Sequence, residues 1–302
     1  MPDNILLTGA SGLFGWNFLS RLRKNRQYSI TCISRKIINK DTSFHHFIAA
    51  DIVDKKDIIR IAEKAAPKII IHAASLGNVD YCQIHQKEAW KVNVEGTRNI
   101  IAAAEKVKAL LIFFSTNAVY DGRKPPYGEN SLRTPVDFYG RTKADSEDDI
   151  RRSKISWVII RLMTMYGWHQ FSQRPNPVTW LIGELKKNKP VKVVNDIYNN
   201  HLYVGQAIDA VLKVVGLNKK NDTFNIAGRD CISRFDLALK VVDKFHFERK
   251  NILPVSSNFF SQLAPRPPNT CFSTAKMERE LKIKPISVDE GLDMMMREMD
   301  LR

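Results

Sequence analysis

The 302-residue sequence is short of cysteine, of acidic side chains and of long apolar runs, and each shortage closes off a class of protein. The four cysteines, Cys32, Cys82, Cys231 and Cys271, are widely spaced and form no CxxC pair. That spacing argues against a disulfide framework or a zinc site, and for reduced thiols in a cytoplasmic setting. The longest apolar runs, such as ALLIFF at 109–114, are strand-sized and fall far short of the roughly 20 residues of a membrane span. No basic segment followed by a long apolar stretch opens the chain, so no secretory leader is expected. Internal repeats and low-complexity segments are missing too. The sequence has no GxSxG elbow, no HExxH and no histidine cluster with metal spacing, so no metal site is expected. The adjacent His45 and His46 read as surface residues.

Acidic residues number 32 against 47 lysines and arginines, which leaves a formal charge of +15. Such a balance favours anionic partners: nucleic acid, acidic membrane surfaces or phosphorylated small molecules. The bases are spread along the whole chain, with no cluster interleaved with aromatics as a nucleic-acid surface needs. Neither nucleic acid nor a membrane is therefore expected as a partner. An apolar content of 44% and a charged content of 26% are ordinary for a soluble enzyme, and the length suits one large domain or two unequal ones.

The first half alternates short β-rich runs with amphipathic stretches. Strands are expected at 4–7, 29–34, 48–51, 68–73, 109–115 and 157–161, and helices at 15–26, 57–66 and 89–106. This alternation predicts βαβ units, hence a doubly wound, parallel-sheet Rossmann domain of the α/β class. KIIIHAA and ALLIFFST are apolar nearly throughout, as strands covered on both faces should be. Beyond residue 165 prolines punctuate a looser pattern. A smaller, mixed C-terminal substrate domain is expected at 166–191 and 229–302, with the chain returning to the first domain (1–165) at about 192–228.

TGASGLFG (8–15) follows the first expected strand and opens the first helix. Gly9, Gly12 and Gly15 would permit a tight turn, close backbone approach to a diphosphate and close helix–strand packing, with Ser11, Leu13 and Phe14 between them. The helix N-terminus adds unpaired N–H groups and a positive dipole end. The spacing is GxxGxxG, one residue longer than the commoner dinucleotide fingerprint. At the end of the second strand, where NAD-binding folds usually place a carboxylate for the ribose 2′-hydroxyl, the sequence reads Ser34-Arg35-Lys36. An arginine fork binds a 2′-phosphate that a carboxylate would repel, so NADP(H) is expected over NAD(H). Asp51-Ile52, after the third strand, falls where an adenine would lie.

Two tyrosines have a lysine four residues on: Tyr120 with Lys124, and Tyr139 with Lys143. The first pair lies in VYDGRKPP, where Gly122, Pro125 and Pro126 forbid a helix. The second lies in DFYGRTKADSED, where this spacing puts both side chains on one helix face. Ser115 and Thr116 end the strand before it. With TGxxGxxG, Asp51-Ile52, HAA (72–74), VNVEGTRN (92–99) and YxxxK in this order, the first half of the chain resembles the extended short-chain dehydrogenase/reductase family. The resemblance implies Thr116, Tyr139 and Lys143 as the catalytic triad. It also implies that Ala73, Ala74, Ser75, Asn93 and Ser115, together with Tyr139 and Lys143, face the cofactor. In such chemistry a ketone takes a hydride from the nicotinamide and a proton from tyrosine. Tyrosine ordinarily holds that proton with a pKa of about 10, and a nearby lysine charge should lower it.

VDYC (79–82), STNAVYDG (115–122), PYGEN (126–130) and APRPPNTCFSTAKME (264–278) resemble one branch of that family, the dTDP-4-dehydrorhamnose reductases. The resemblance implies a nucleotide-sugar substrate and an NADPH-dependent reduction of its 4-keto group. It puts Arg266 toward the substrate diphosphate or, equally, in a surface salt bridge. Asn117 stands where the branch usually has aspartate, Thr164 where a tryptophan often packs on the sugar, and NNHLYV (199–204) replaces the usual Pro-Thr before the tyrosine. Asn117-Ala118 also lacks the Asp-Glu pair of sugar 4,6-dehydratases. Two other readings stay open: a nucleotide-sugar epimerase, and a non-catalytic NADP-binding subunit resembling the β-subunit of methionine adenosyltransferase. A homodimer is the oligomer allowed for.

Overall fold

In the computed structural model, which describes residues 3–300 apart from 24, 26, 37–44, 171–172 and 261–263, strand and helix alternate from the first residues. The order is β1 (Asp3–Thr8), α1 (Leu13–Leu22), β2 (Tyr28–Ser34), β3 (His45–Ala49), α2 (Lys55–Ala65), β4 (Ile69–His72), α3 (Val79–Ile84), α4 (Gln86–Trp90), α5 (Gly96–Val107) and β5 (Leu110–Thr116). Then come α6 (Phe138–Arg152), β6 (Trp157–Leu162), β7 (Met165–Tyr166), α7 (Pro177–Leu185), β8 (Val191–Val194), β9 (Tyr198–Asn199) and β10 (Leu202–Tyr203). The chain closes with α8 (Val204–Gly216), β11 (Asp222–Ile226), β12 (Ile232–Ser233), α9 (Arg234–Lys244), β13 (Ile252–Val255) and α10 (Val288–Asp300). The end expected for the first helix, Arg26, lies outside the described residues.

Seven strands form one sheet in the order β3-β2-β1-β4-β5-β6-β11, and every pairing in it is parallel. The order reverses between β1 and β4, so a crevice opens at their carboxyl ends, where open α/β sheets bind ligands. Alternation along each strand explains the unbroken apolar runs. Ile5 and Leu7 of β1, with Ile112 and Phe114 of β5, pack with Phe18 of α1 and Val211 of α8. Leu6, Leu111 and Phe113 point to the other face, into Ile58 and Ile61 of α2 and Ile100 of α5. Both faces are buried, so no polar alternation appears in the sequence.

Beyond β6 the chain builds a third apolar cluster, with Val178, Leu181, Val241 and Leu292 at its centre. Three short ladders surround it: β7 with β10, β9 with β12, and β8 with β13. The stretch expected to return to the sheet at about 192–228 divides. Its first strand, β8, pairs with β13 away from the sheet, whereas β11 pairs with β6 at the sheet edge. Among the described residues no helix is long and apolar enough to cross a membrane, and no cluster of three metal-ligating side chains occurs.

Three expectations need correction. Cys231 and Cys271, 40 residues apart, form a disulfide with Cα atoms 5.8 Å from each other; Cys32 and Cys82 take no part in a disulfide, and both are buried. The fold brings together two cysteines whose spacing gives no warning, so cysteine usage no longer argues for a reducing compartment. His45 is buried, at 5% exposure, because it alternates into the interior along edge strand β3 while His46 faces outward. The continuous helix expected at 89–106 is interrupted by a π-helical turn, Lys91–Glu95, between α4 and α5.

Candidate active site

The turn from β1 into α1 is shaped by contact distance. Gly9 has φ +72°, and a Cβ there would lie 2.7 Å from the Ala74 nitrogen; one on Gly15 would lie 2.5 Å from the Gly9 carbonyl. Gly12 caps α1 with no side-chain acceptor, and the first turn carries no acidic residue. The helix N–H groups and its positive end are thereby left for an anion. A cleft of about 170 Å³ opens above this turn. Gly9, Ser11, Gly12, Ser34, Arg35, Asp51, Ile52, Ala73, Ala74 and Ser75 all line it, as do Ile33, Ala50, Leu76 and Val92, which the sequence reading missed. The missed residues are the apolar flanks of recognised motifs, and their type alone gives no signal.

Other expected cofactor residues are placed differently. Phe14 is buried, its ring edge-on to Phe114 with centroids 4.5 Å apart, so its side chain serves the core. Ser115 is buried as well, and its hydroxyl donates to Glu147 Oε1 at 2.5 Å, turned away from the cleft. Leu13 and Gly15 lie on the first turn of α1 below the opening, and Lys36 is exposed beside Arg35. No carboxylate ends β2; the Ser34 hydroxyl instead donates to the Lys36 carbonyl at 2.5 Å.

The π-helical turn has a function in this geometry. Asn93, buried within it, accepts from the Leu76 N–H at 2.8 Å and donates to the Leu76 carbonyl at 3.2 Å and to Thr142 Oγ1 at 3.1 Å. Thr142 donates in turn to the Tyr139 carbonyl at 2.7 Å. The Asn93 carbonyl, within the π-helical turn, accepts from Thr97 (2.5 Å) and Ser146 (2.9 Å). Such turns recur at functional sites because they expose backbone groups. Since the Thr97 proton is given to Asn93, its oxygen accepts from His72 Nε2–H at 3.1 Å. His72 Nδ1 then accepts from the Thr8 hydroxyl at 2.7 Å. Burial pushes the pKa of His72 down to about 3, aided by Lys143, so the ring is neutral and every proton in the chain has one place.

Tyr139 and Lys143 occupy one face of α6, whose N-terminus is capped by Asp137 accepting from the Gly140 N–H at 2.8 Å. Lys143 is buried, its ammonium 4.0 Å from the Phe113 ring centroid. Burial lowers its pKa to about 7, with Glu147 one turn further on acting in the opposite sense. Tyr139 departs from expectation. Burial pushes its pKa up to about 12, and hydrogen-bonding interactions with Thr116 and Ser75 offset only part of that rise. The expected lowering by lysine does not emerge: burial of the phenol outweighs the interactions that lower its pKa, and burial also draws the lysine's own pKa down. A phenol held protonated is the form that donates. The twin pair separates completely: Tyr120 is buried, donating to the Gly128 carbonyl at 3.0 Å and accepting from Arg161 at 2.6 Å.

Behind this helix lies a buried ionic knot. Glu147, 0% exposed, receives Arg161 through two contacts of 2.9 and 2.7 Å, with Arg151 at 3.0 Å and Arg133 at 3.3 Å. At the end of β5, Thr116 donates to Asn117 Oδ1 at 3.2 Å, and Asn117 donates to Thr270 Oγ1 at 2.7 Å. Thr164 is half-buried, its carbonyl accepting from the Leu202 N–H at 3.0 Å. Arg266 donates to Asp80 Oδ2 and to the Ala264 carbonyl, both at 2.8 Å, which ties segment 264–266 to α3. Gln173, unforeseen in the sequence, donates to the Ser11 carbonyl at 2.6 Å and so braces the phosphate turn from the second half of the chain.

Fold, glycine turn and YxxxK helix together define an extended short-chain dehydrogenase/reductase. The family model described as RmlD substrate binding domain matches residues 3–301, and the chain belongs to that family. Among curated relatives, a dTDP-4-dehydrorhamnose reductase of Aggregatibacter actinomycetemcomitans is 25% identical over 293 residues, 93% of this chain and 94% of its own. The β-subunit of methionine adenosyltransferase 2 of Bos taurus is 23% identical over 280 residues, covering 91% of this chain and 81% of its own. Among solved structures, a dTDP-4-dehydrorhamnose reductase of Bacillus anthracis in complex with NADP superposes with a TM-score of 0.88 at 25% identity, covering 99% of this chain and 100% of the other.

Proposed function

We propose that this protein is an NADPH-dependent reductase of the 4-keto group of a nucleotide-activated deoxysugar. The observation that carries the reading is the convergence of Thr116, Tyr139 and Lys143 beside a glycine-built phosphate turn. The similar Bacillus anthracis reductase, solved with NADP, supports the choice of cofactor and substrate class. The residues present fit a dinucleotide phosphate: side chains at Gly9 and Gly15 would collide with backbone, and Arg35 lines the cleft where a carboxylate would repel a 2′-phosphate. The bound nicotinamide supplies the hydride. Tyr139 supplies the proton to the developing alkoxide, Thr116 positions the phenol by accepting its hydrogen bond, and Lys143, when charged, stabilises the tyrosinate left behind.

Incubation with NADPH and dTDP-4-keto-6-deoxysugars, including the rhamnose precursor, should oxidise NADPH stoichiometrically with substrate. An epimerase on this fold would consume none. The similarity to methionine adenosyltransferase β-subunits favours one alternative, a non-catalytic subunit. No turnover together with stoichiometric recovery of a synthetase would establish that alternative instead.

Arg35 makes the cofactor choice testable alone. Arg35→Ser is expected to weaken NADPH binding about 10- to 100-fold, the loss of a charge-assisted fork, while NADH binding stays put. Equal weakening of both dinucleotides, read by titration calorimetry, would show that Arg35 does not read the 2′-phosphate.

A further inference from the structure

We infer that Thr270 is a positioning residue for the Thr116 hydroxyl that holds the phenol of Tyr139, acting through Asn117; the inference rests on the reductase reading above. Thr270 is fully buried, and its hydroxyl oxygen accepts from two amides, Asn117 Nδ2 at 2.7 Å and Asn199 Nδ2 at 2.8 Å. An oxygen that receives the Asn117 NH2 group fixes which end of that amide faces the other way. The Asn117 carbonyl therefore points at Thr116, whose hydroxyl donates to it at 3.2 Å. The Ala118 N–H donates to the same Thr116 oxygen, also at 3.2 Å. With its proton on one side and a backbone donor on the other, Thr116 has a lone pair left for the phenol of Tyr139. Proton direction thus runs from Tyr139 to Thr116 to Asn117. Thr270 keeps it from reversing.

The anchor is itself held from three sides. Cys271, the next residue, is bonded to Cys231. Before it, Asn269 bridges to Tyr198, and the Thr270 N–H donates to the Tyr198 carbonyl at 3.3 Å. One residue further on, Phe272 exchanges hydrogen bonds with the buried Asn200 side chain, at 3.0 Å each way. The C-terminal half of the chain thereby sets the rotamer of a hydroxyl carried by the N-terminal sheet. Asn117, read from the sequence as a departure at a substrate position, is the link between them.

Thr270→Val keeps the shape and removes the acceptor. Its kcat is expected to fall about 10- to 100-fold, the effect of one oriented hydrogen bond lost from a buried network. NADPH affinity and keto-sugar KM should hardly move, and Thr270→Ser should restore most of kcat. The double variant N117A/T270V should be no slower than N117A, because both cut the same chain. A kcat within about twofold of wild type, or additive losses, would overturn the inference. Should T270V not fold, T270A assayed below its own Tm is subject to the same two outcomes. A neutron structure of T270V, which distinguishes the amide nitrogen from its oxygen, reads the chain without any turnover: a rotated Asn117 amide supports the assignment, and an Asn117 oxygen still facing Thr116 refutes it. That readout stands even if the wild-type protein reduces no keto-sugar, which would instead sink the reductase reading.

Discussion

Tyr139→Phe abolishes most turnover, lowering kcat by about 10²- to 10⁴-fold, the usual range for a positioned proton donor. The phenyl ring preserves the packing of α6, and the capping of that helix by Asp137 does not involve the hydroxyl. Dinucleotide affinity and Tm are therefore expected to stay at wild-type values, so the loss would be chemical. Residual activity within tenfold of wild type would move the proton donor elsewhere. A companion pH profile follows from Lys143, whose pKa is drawn down to about 7 by burial. Its charge is present below that value and lost above it, while Tyr139, pushed up to about 12, stays protonated throughout. kcat/KM for NADPH, which reports the free protein, should accordingly fall as pH rises through about 7. A flat profile across neutrality would contradict the burial of the ammonium.

Glu147→Ala is expected to destabilise the fold by about 3–5 kcal/mol, the penalty for leaving a buried charge without its partner. The charge left behind is Arg161, 1% exposed, whose two contacts to Glu147 and bond to Tyr120 span the region between α6, β6 and the loop after β5. Burial by itself would raise the carboxyl pKa, but Arg161, Ser115 and Arg151 together hold it below its ordinary value. A folded-state pKa below the unfolded one means stability fully present above the unfolded value and lost as pH falls through the folded one. Denaturant midpoints of wild type and variant should thus converge in acid and separate toward neutrality. A loss of under about 1 kcal/mol, the range of exposed pairs, would show that solvent reaches the site.

The parts of this molecule legible in the sequence are those written in local chemistry. TGASGLFG could be read because backbone contact at Gly9 and Gly15 admits no side chain, and the sheet because apolar runs flanked by amphipathic helices have few other solutions. The illegible parts depend on separations of tens of residues. Cys231 meets Cys271 from 40 residues away, Asn117 meets Thr270 from 153 residues away, and Gln173 reaches the Ser11 carbonyl from the far half. Phe14 and Ser115 sit in motif positions yet turn their side chains inward. A motif fixes where the backbone passes, and packing then decides where the side chain goes. The π-helical turn at Lys91–Glu95 escaped because one extra residue in a helical turn leaves the apolar period almost unchanged.

Tyr139, Lys143 and Glu147 follow one another at four-residue steps along α6, from a half-buried phenol to a carboxylate sealed from solvent. About 12 Å of helix separates the reactive end from the structural end. Chemistry and architecture are therefore written on one element yet are separable by mutation. A lineage that lost the phenol would keep the ionic knot, the sheet and the phosphate turn, and would fold as before. Retirement from catalysis into dinucleotide-dependent binding is one substitution away for this scaffold.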